Sequence, residues 1–352
     1  MLNRFNAFIN EQHLFSDREE VLLAVSGGKD SVTLCDLMHR SQYRFAIAHC
    51  NFNLREGDCD RDEHFVRNLA KGYNVPVHVV SFDTVAEAAA NGESIEEAAR
   101  RLRYSYFKDL CRQFGYSCVA TAHHRDDSTE TFFINLLRGT GITGLHGILP
   151  KMNNVVRPML CFSRKEIDEY VQSNGLHWVE DCTNATLEYT RNRVRHQLMP
   201  LLRQLSPNID NIMESNIANL VEAEEIYHKY VDNACSNLLH QLPDGGCYIE
   251  IRDIDVLSPR KTILYELICR PPFCFSKSTL TTLLDVLHGE SGKQFYSASY
   301  RMLKDRTRVF IYPLNSGHDQ KPEISVDVVD RVSVGSLKCT ATKALFDAEK
   351  VA

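Results

Sequence analysis

Residues 21–31 read VLLAVSGGKDS: an apolar run, two glycines, then a lysine and an aspartate bracketed by serines. The apolar run predicts a strand over 21–25, and the pattern after the glycines predicts a helix from about Ser31 to Arg40. Gly27 and Gly28 carry no Cβ, so the backbone there can turn tightly and approach a ligand closely. Free N–H groups of the turn and of the helix N-terminus then point at one spot, which suits an anion. Ser26 and Ser31 add hydroxyl donors, and Lys29 adds a positive charge. Two common phosphate cradles are excluded. A Walker A loop needs glycine at position 23 and Ser or Thr after the lysine, where Leu23 and Asp30 stand; the dinucleotide pattern G-x-G-x-x-G is also missing. The plain alternative is a tight strand-to-helix turn that serves no ligand.

A second group follows the apolar run 118–122: Ala122-His123-His124-Arg125-Asp126-Asp127-Ser128-Thr129-Glu130-Thr131. On a helix from about Arg125 to Arg138, Glu130 shares a face with Asp126 or Asp127. Carboxylates beside a bound phosphate are natural magnesium ligands, although acids also favour a first helical turn through the helix dipole. Two basic groups stand out: Arg100, Arg101, Arg103, Lys108 and Arg112, and later Arg191, Arg193, Arg195 and Arg203. Each could meet a polyanion or be a solvated helix face.

A scaffold must bring these groups together. Apolar runs at 21–25, 45–50, 75–82 and 118–122 show little alternation and are separated by helical patterns. That predicts a parallel sheet covered on both faces, a doubly wound α/β fold, which binds ligands at the carboxyl ends of its strands. The loop after the first strand and the acids after the fourth would then share one rim. A capping box at Ser94 and Glu97 opens a long helix, and another at Ser163 and Glu166 opens a helix stopped by Asn174-Gly175. Ser206-Pro207 is expected to start one long helix. Beyond the Pro243–Gly246 turn the pattern is mixed, with strands at CYIEI and RVFIY and a helix at TLTTLLDVLHG. The expected organisation is a catalytic domain over 1–205, a helical linker with a small α+β domain over 206–314, and the start of a further domain over 315–352.

The 352 residues, 43% hydrophobic and 24% charged, can bury more than one core. No apolar run is long enough to span a bilayer and no signal peptide opens the chain, so no membrane partner and a cytoplasmic location are expected. With a net charge of −6, any nucleic-acid contact must rest on a local positive surface. The twelve cysteines form no C-x-x-C pair and no zinc spacing.

Ser26-Gly27-Gly28-Lys29-Asp30-Ser31 resembles the S-G-G-x-D-S loop of the N-type ATP pyrophosphatases, the PP-loop superfamily. That resemblance implies ATP as cofactor, with scission between its α- and β-phosphates and transfer of the adenylate. Further residues resemble the tRNA(Ile)-lysidine synthetase family. Ala122, His124, Asp126, Asp127, Glu130 and Thr131 stand in register with its A-x-H-x-x-D-D-Q-x-E-T element, departing at Ser128, where the family commonly has Gln. Ser94–Arg100 with Arg103-Tyr104, Leu137–Gly141 with Gly144-Leu145, Arg157-Pro158 with Leu160, Glu180-Asp181 with Thr183-Asn184, and Arg191-Asn192 with Arg195 are similar to further elements of that family. The match runs nearly continuously over roughly 15–205.

The family resemblance implies adenylation of carbon 2 of the wobble cytidine in an isoleucine tRNA with a CAU anticodon, followed by displacement of AMP by free lysine. It assigns pyrophosphate binding to Ser26, Gly27, Gly28, Lys29, Asp30 and Ser31. Catalytic roles go to Asp127, Asp126, Glu130, His124 and Asp30, with Mg2+ on Asp127 and Asp126. Arg100, Arg103, Arg191 and Arg195 are assigned to tRNA or to transition-state charge. A PP-loop tRNA thiolase is the alternative, disfavoured by the missing C-x-x-C. The family usually continues into a further C-terminal domain, so the chain is expected to stop within one. The oligomeric state is open, a homodimer being one option.

Overall fold

The computed structural model describes residues 1–54, 58–180 and 190–314; Asp181, Thr183, Asn184 and the expected third domain over 315–352 lie outside them. The chain divides into two compact units, Met1–Tyr227 and His228–Ala352.

The first unit runs α1 (Leu2–Glu11), β1 (Glu20–Ala24), α2 (Lys29–Arg40), β2 (Arg44–Asn51), α3 (Asp58–Tyr73), β3 (Val77–Ser81), α4 (Thr84–Asn91), α5 (Ile95–Phe114) and β4 (Cys118–Ala120). It continues with α6 (Arg125–Arg138), α7 (Ile142–Leu145), the hairpin β5 (Lys151–Met152) and β6 (Val155–Val156), and α8 (Arg164–Asn174). After α9 (Thr190–Arg193) come a π-helical turn (Val194–Leu198), α10 (Met199–Leu205) and α11 (Ile209–Leu238), which carries the chain across the division.

The sheet order is β3-β2-β1-β4-β6-β5. All neighbours pair in parallel except β5, which is antiparallel to β6. From β1 the chain winds outward through β2 and β3, then returns to place β4 on the other side of β1. That reversal is a topological switch point, where the loops leaving β1 and β4 separate and open a crevice.

Why the strands show little alternation is visible in the packing. Val21 and Leu23 face Phe5, Ile9, Leu34, Leu37, Phe162 and Ile167. Leu22, between them, joins Ala46, Ala48, Val119, Phe107 and Leu110 on the other face. Both faces are dry, as a doubly wound sheet requires. The two capping boxes form as read: Ser94 accepts from the Glu97 N–H and Ser163 from the Glu166 N–H, with Gly115 and Gly175 ending the helices in the left-handed region. Helix α4 has no counterpart in the sequence reading; Asp83 caps it and its alanine-rich TVAEAAAN offers only a thin apolar stripe. The long helix α11 starts at Ile209, two residues after Pro207.

The second unit has a five-stranded antiparallel sheet ordered β7-β8-β11-β10-β9, built from β7 (His240–Gln241), β8 (Cys247–Glu250), β9 (Lys293–Tyr296), β10 (Tyr300–Lys304) and β11 (Arg308–Pro313). Its inward residues Ile249, Met302, Val309 and Ile311 pack on Ile254 of α12 (Ile251–Asp255), Ile263 and Leu267 of α13 (Arg260–Ile268) and Leu280 and Leu283 of α14 (Lys277–Val286). The sequence anticipated β8, α14 and β11. Among the described residues no helix is long and apolar enough to cross a membrane.

Candidate active site

Between β1 and α2 the chain turns within four residues. Gly27 adopts φ +92°, a left-handed conformation that a side chain would strain. The turn is fixed from several directions. The Val25 N–H donates to Ala48 O (2.9 Å), the Val179 N–H donates to Gly27 O (3.0 Å), and His49 Nδ1 lies 2.8 Å from Val25 O. The Ser31 hydroxyl donates to Gly28 O (2.9 Å), and Ser26 Oγ accepts the Gly28 N–H (3.3 Å). The loop is therefore held by hydrogen bonds of its own and by the neighbouring strand.

This loop borders a cavity of about 1690 Å³ in the first unit. Ser26, Gly28, Lys29, Asp30 and Ser31 line it, together with His124, Asp126, Asp127, Glu130, Arg100, Arg103 and Arg195. Of the residues anticipated from sequence, Gly27 and Arg191 stay off its wall. Gly27 shapes the turn, and Arg191 sits beside Thr131 (3.2 Å) and Glu130 (3.7 Å).

His124 is the centre of the acid group. It is 2% exposed, and its Nε2 lies 3.5 Å from Asp127 Oδ2 and 4.0 Å from Asp30 Oδ2, while Nδ1 lies 3.9 Å from Asp126 Oδ2. The His124 N–H donates to Asp127 Oδ2 (3.0 Å), so the carboxylate caps its own helix. Each acid also meets an arginine. Arg195 reaches Glu130 (2.6 and 2.9 Å) and Asp127 (3.1 Å), Arg203 reaches Asp126 (3.1 Å), and Arg164 reaches Asp30 (2.8 and 3.0 Å).

Burial alone would raise the Asp127 carboxyl, but His124, His123, the His124 N–H and Arg195 outweigh it and leave it below its ordinary range. For Glu130 burial wins and the carboxyl is raised, although Arg195 pulls the other way. His123 is driven down to about 4 by burial, despite the pull of Asp127, with Arg157 and Arg191 adding to the descent.

The first basic group splits. Arg101 pairs with Glu93 (3.0 Å) and Glu87 (3.3 Å) and Arg112 with Asp109 (3.9 Å), whereas Arg100 lies over the Tyr104 ring and Arg103 over the Phe52 ring. Among the described residues Arg100 and Arg103 make no ion pair, so they are the cations on the wall best placed for a polyanion. In the second group the π-helical turn carries Arg195 onto the acids.

Sequence reasoning missed Arg164, Asp168 and Trp178, all on the cavity wall. The only signal for them was the capping box at Ser163, which marks where α8 begins and not which way it faces. Ser128, where the family's Gln is replaced, makes a local contact, its Oγ accepting the Ile148 N–H (2.9 Å). It packs against Gly147, where φ is +67° and an added Cβ would lie 2.3 Å from Ser128 Oγ and 2.9 Å from its carbonyl oxygen.

Comparisons with known proteins place the chain in a family. Residues 1–202 match the family model of the PP-loop domain and residues 243–314 that of the TilS substrate binding domain. The chain is 37% identical over 349 residues to the tRNA(Ile)-lysidine synthase of Bacteroides thetaiotaomicron, covering 98% of this chain and 80% of that protein. It is 35% identical over 304 residues to the enzyme of the same name from Chlorobaculum tepidum, covering 82% and 89%. Among solved structures a U34-tRNA thiolase from Methanococcus maripaludis superposes with a TM-score of 0.51 at 14% identity, covering 62% of this chain and 78% of that one, a likeness of fold alone. The loop, the acids after β4 and the two matched domains together make this chain a member of the tRNA(Ile)-lysidine synthase family.

Proposed function

We propose that this protein, an ATP-dependent tRNA-modifying ligase by its family, forms lysidine in two steps on the wall of the cavity at the β1/β4 switch point. In the first, the C2 oxygen of the wobble cytidine in an isoleucine tRNA with a CAU anticodon bonds to the α-phosphorus of ATP. The α–β anhydride bond breaks, and pyrophosphate leaves. In the second, an amino group of free lysine bonds to C2, the C2–O bond breaks with AMP carrying the oxygen away, and the amine gives up a proton. The observation that carries the reading is the meeting of the Ser26–Ser31 loop with His124, Asp127 and Glu130 on one cavity that also presents Arg100 and Arg103.

In this reading the loop N–H groups and hydroxyls grip the pyrophosphate end, and Arg100 and Arg103 meet the RNA backbone or the charge that develops during transfer. An anticodon base is unpaired and costs little to extrude. Among the described residues no three acidic, His or Cys side chains form a cage for a metal. The carboxylates fit Mg2+ in the way it is usually held, by one or two acids completed by substrate phosphates. Asp127, beside His124 Nε2, and Asp126, on its Nδ1 side, are suited to that role. When bound, the ion would neutralise charge developing on the phosphates.

The thiolase alternative needs a reactive sulfur. Cys50 is the cysteine on the wall among the described residues, and burial pushes its thiol up to about 12, the opposite of what a thiolate relay requires. The test is mass spectrometry of an isoleucine tRNA incubated with the protein, ATP and lysine. The expected product carries the mass of lysine less one water on the anticodon cytidine, with one AMP and one pyrophosphate released per tRNA. A tRNA of unchanged mass, or one that gains sulfur, overturns the reading.

A further inference from the structure

Four charged groups alternate along one edge of the cavity. Lys29 Nζ donates to Asp168 Oδ1 (2.8 Å), the same oxygen lies 3.3 Å from Arg164 Nε, and Arg164 Nη1 spans both oxygens of Asp30. The Arg164 N–H, at the first position of α8, donates to Asp126 Oδ2 (2.9 Å), so the start of the helix is tied to the acid group as well. Lys29 Nζ lies 4.9 Å from the Trp178 ring centroid.

Stability does not account for this network. Arg164 and Asp168 are each 38% exposed and Asp30 is 32% exposed, and pairs this open to water contribute little to folding. Its position is more informative. All four side chains line the cavity beside the Ser26–Ser31 loop. Asp30 alone would confront a bound polyphosphate with a like charge; Arg164 cancels it. After that, Arg164 Nη2 still makes no hydrogen bond among the described residues, and the Lys29 ammonium has spent one of its three donors.

We infer that Arg164, reaching in from α8, is a pyrophosphate-binding residue, with Lys29 as its companion and Asp30 and Asp168 as the carboxylates that hold both cations in place. The inference rests on the adenylation reading above. As the α–β anhydride breaks, the bridging oxygen leaves with the β-phosphate and negative charge accumulates there. A planar guanidinium already held through Nη1 and Nε is suited to take that charge on Nη2. Preorganisation by the two carboxylates removes the cost of ordering long side chains at that moment.

The experiment is calorimetric titration of the full chain with inorganic pyrophosphate and, separately, with AMP, for the wild type, Arg164→Ala and Arg164→Lys. Arg164→Ala is expected to weaken pyrophosphate binding about tenfold or more, the loss of one charge-assisted hydrogen bond, and AMP binding less than about twofold. Arg164→Lys keeps the charge without the fork and is expected to fall between, which preserves the test if the alanine variant does not fold. Unchanged pyrophosphate affinity in both variants overturns the inference, as does a loss that is equal for pyrophosphate and AMP. A wild type that binds neither ligand overturns the adenylation reading along with it, so the two failures are distinguishable.

Discussion

Arg195 closes on Glu130 with both arms, Nε 2.6 Å from Oε1 and Nη2 2.9 Å from Oε2. Glu130 is almost wholly buried, so this fork is what permits a carboxylate there. Arg195→Ala is expected to destabilise the protein by about 2 kcal/mol, the penalty of a buried acceptor left unsatisfied. Adding Glu130→Gln should recover part of that loss, since an amide needs no cation. The sign with pH follows from the raised Glu130 carboxyl. A raised group contributes its stability below its unfolded value and loses it as pH rises through the folded one. Without Arg195 it rises further, so the deficit should be larger at about pH 8 than at about pH 5. Urea denaturation of the single and double variants at both values checks this.

Asp30→Ala and Ser26→Ala are expected to abolish ATP-dependent pyrophosphate release while leaving the far-ultraviolet circular dichroism unchanged. Both side chains sit at the strand-to-helix turn on the cavity wall and outside the core. Wild-type release rates in either folded variant would remove the loop from the chemistry.

Asp127→Asn should slow adenylation far more than it weakens tRNA binding. It alters charge next to His124 and Arg195, where stabilisation matters most in the transition state. Single-turnover rates set beside filter-binding affinities separate the two effects; equal losses would make Asp127 a binding residue.

Arg100→Ala and Arg103→Ala should each lower the slope of log affinity for tRNA against log salt by about one, or slightly less for single-stranded contacts. Arg195→Ala should leave that slope nearly unchanged, because its guanidinium is committed to Glu130 and Asp127. Affinities measured across a salt series distinguish the two sets.

His123 is held neutral in the fold, with its imidazole lowered from 6.5 to about 4. Its contribution to stability is present above the unfolded value and declines as pH falls from about 6.5 towards about 4, where the unfolded chain takes up a proton that the folded one does not. His123→Gln should flatten the pH dependence of stability across that window, as read by denaturation midpoints.

The Ser26–Ser31 loop and the acids after β4 were legible because their signals are local. Two glycines between a strand and a helix, and acids one turn apart on α6, announce themselves within a few residues. That the loops after β1 and β4 share one rim followed from the fold class, whereas the pairing of β1 with both β2 and β4 that makes them neighbours came only with the structure. Arg164 and Asp168 were not legible, because their partners Asp30 and Lys29 lie more than a hundred residues away and only the third dimension joins them. The π-helical turn that aims Arg195 has no sequence signature, so its pairing with Asp127 and Glu130 could not be read from the sequence, which offered it for tRNA or for transition-state charge. In the second unit, α12 and α13 begin without a side-chain cap, and the ordinary start signals failed there.

The contact between Ser128 and Gly147 limits how this chain can drift. Position 147 admits only glycine: a methyl group there meets the carbonyl oxygen of residue 128 as well as its hydroxyl, so no trimming of the side chain at 128 makes room. Position 128 is freer, provided its replacement still offers an acceptor to the Ile148 N–H. Epistasis between the two sites is therefore one-sided. Substitutions at 128 can be accepted singly, whereas one at 147 has no compensating partner.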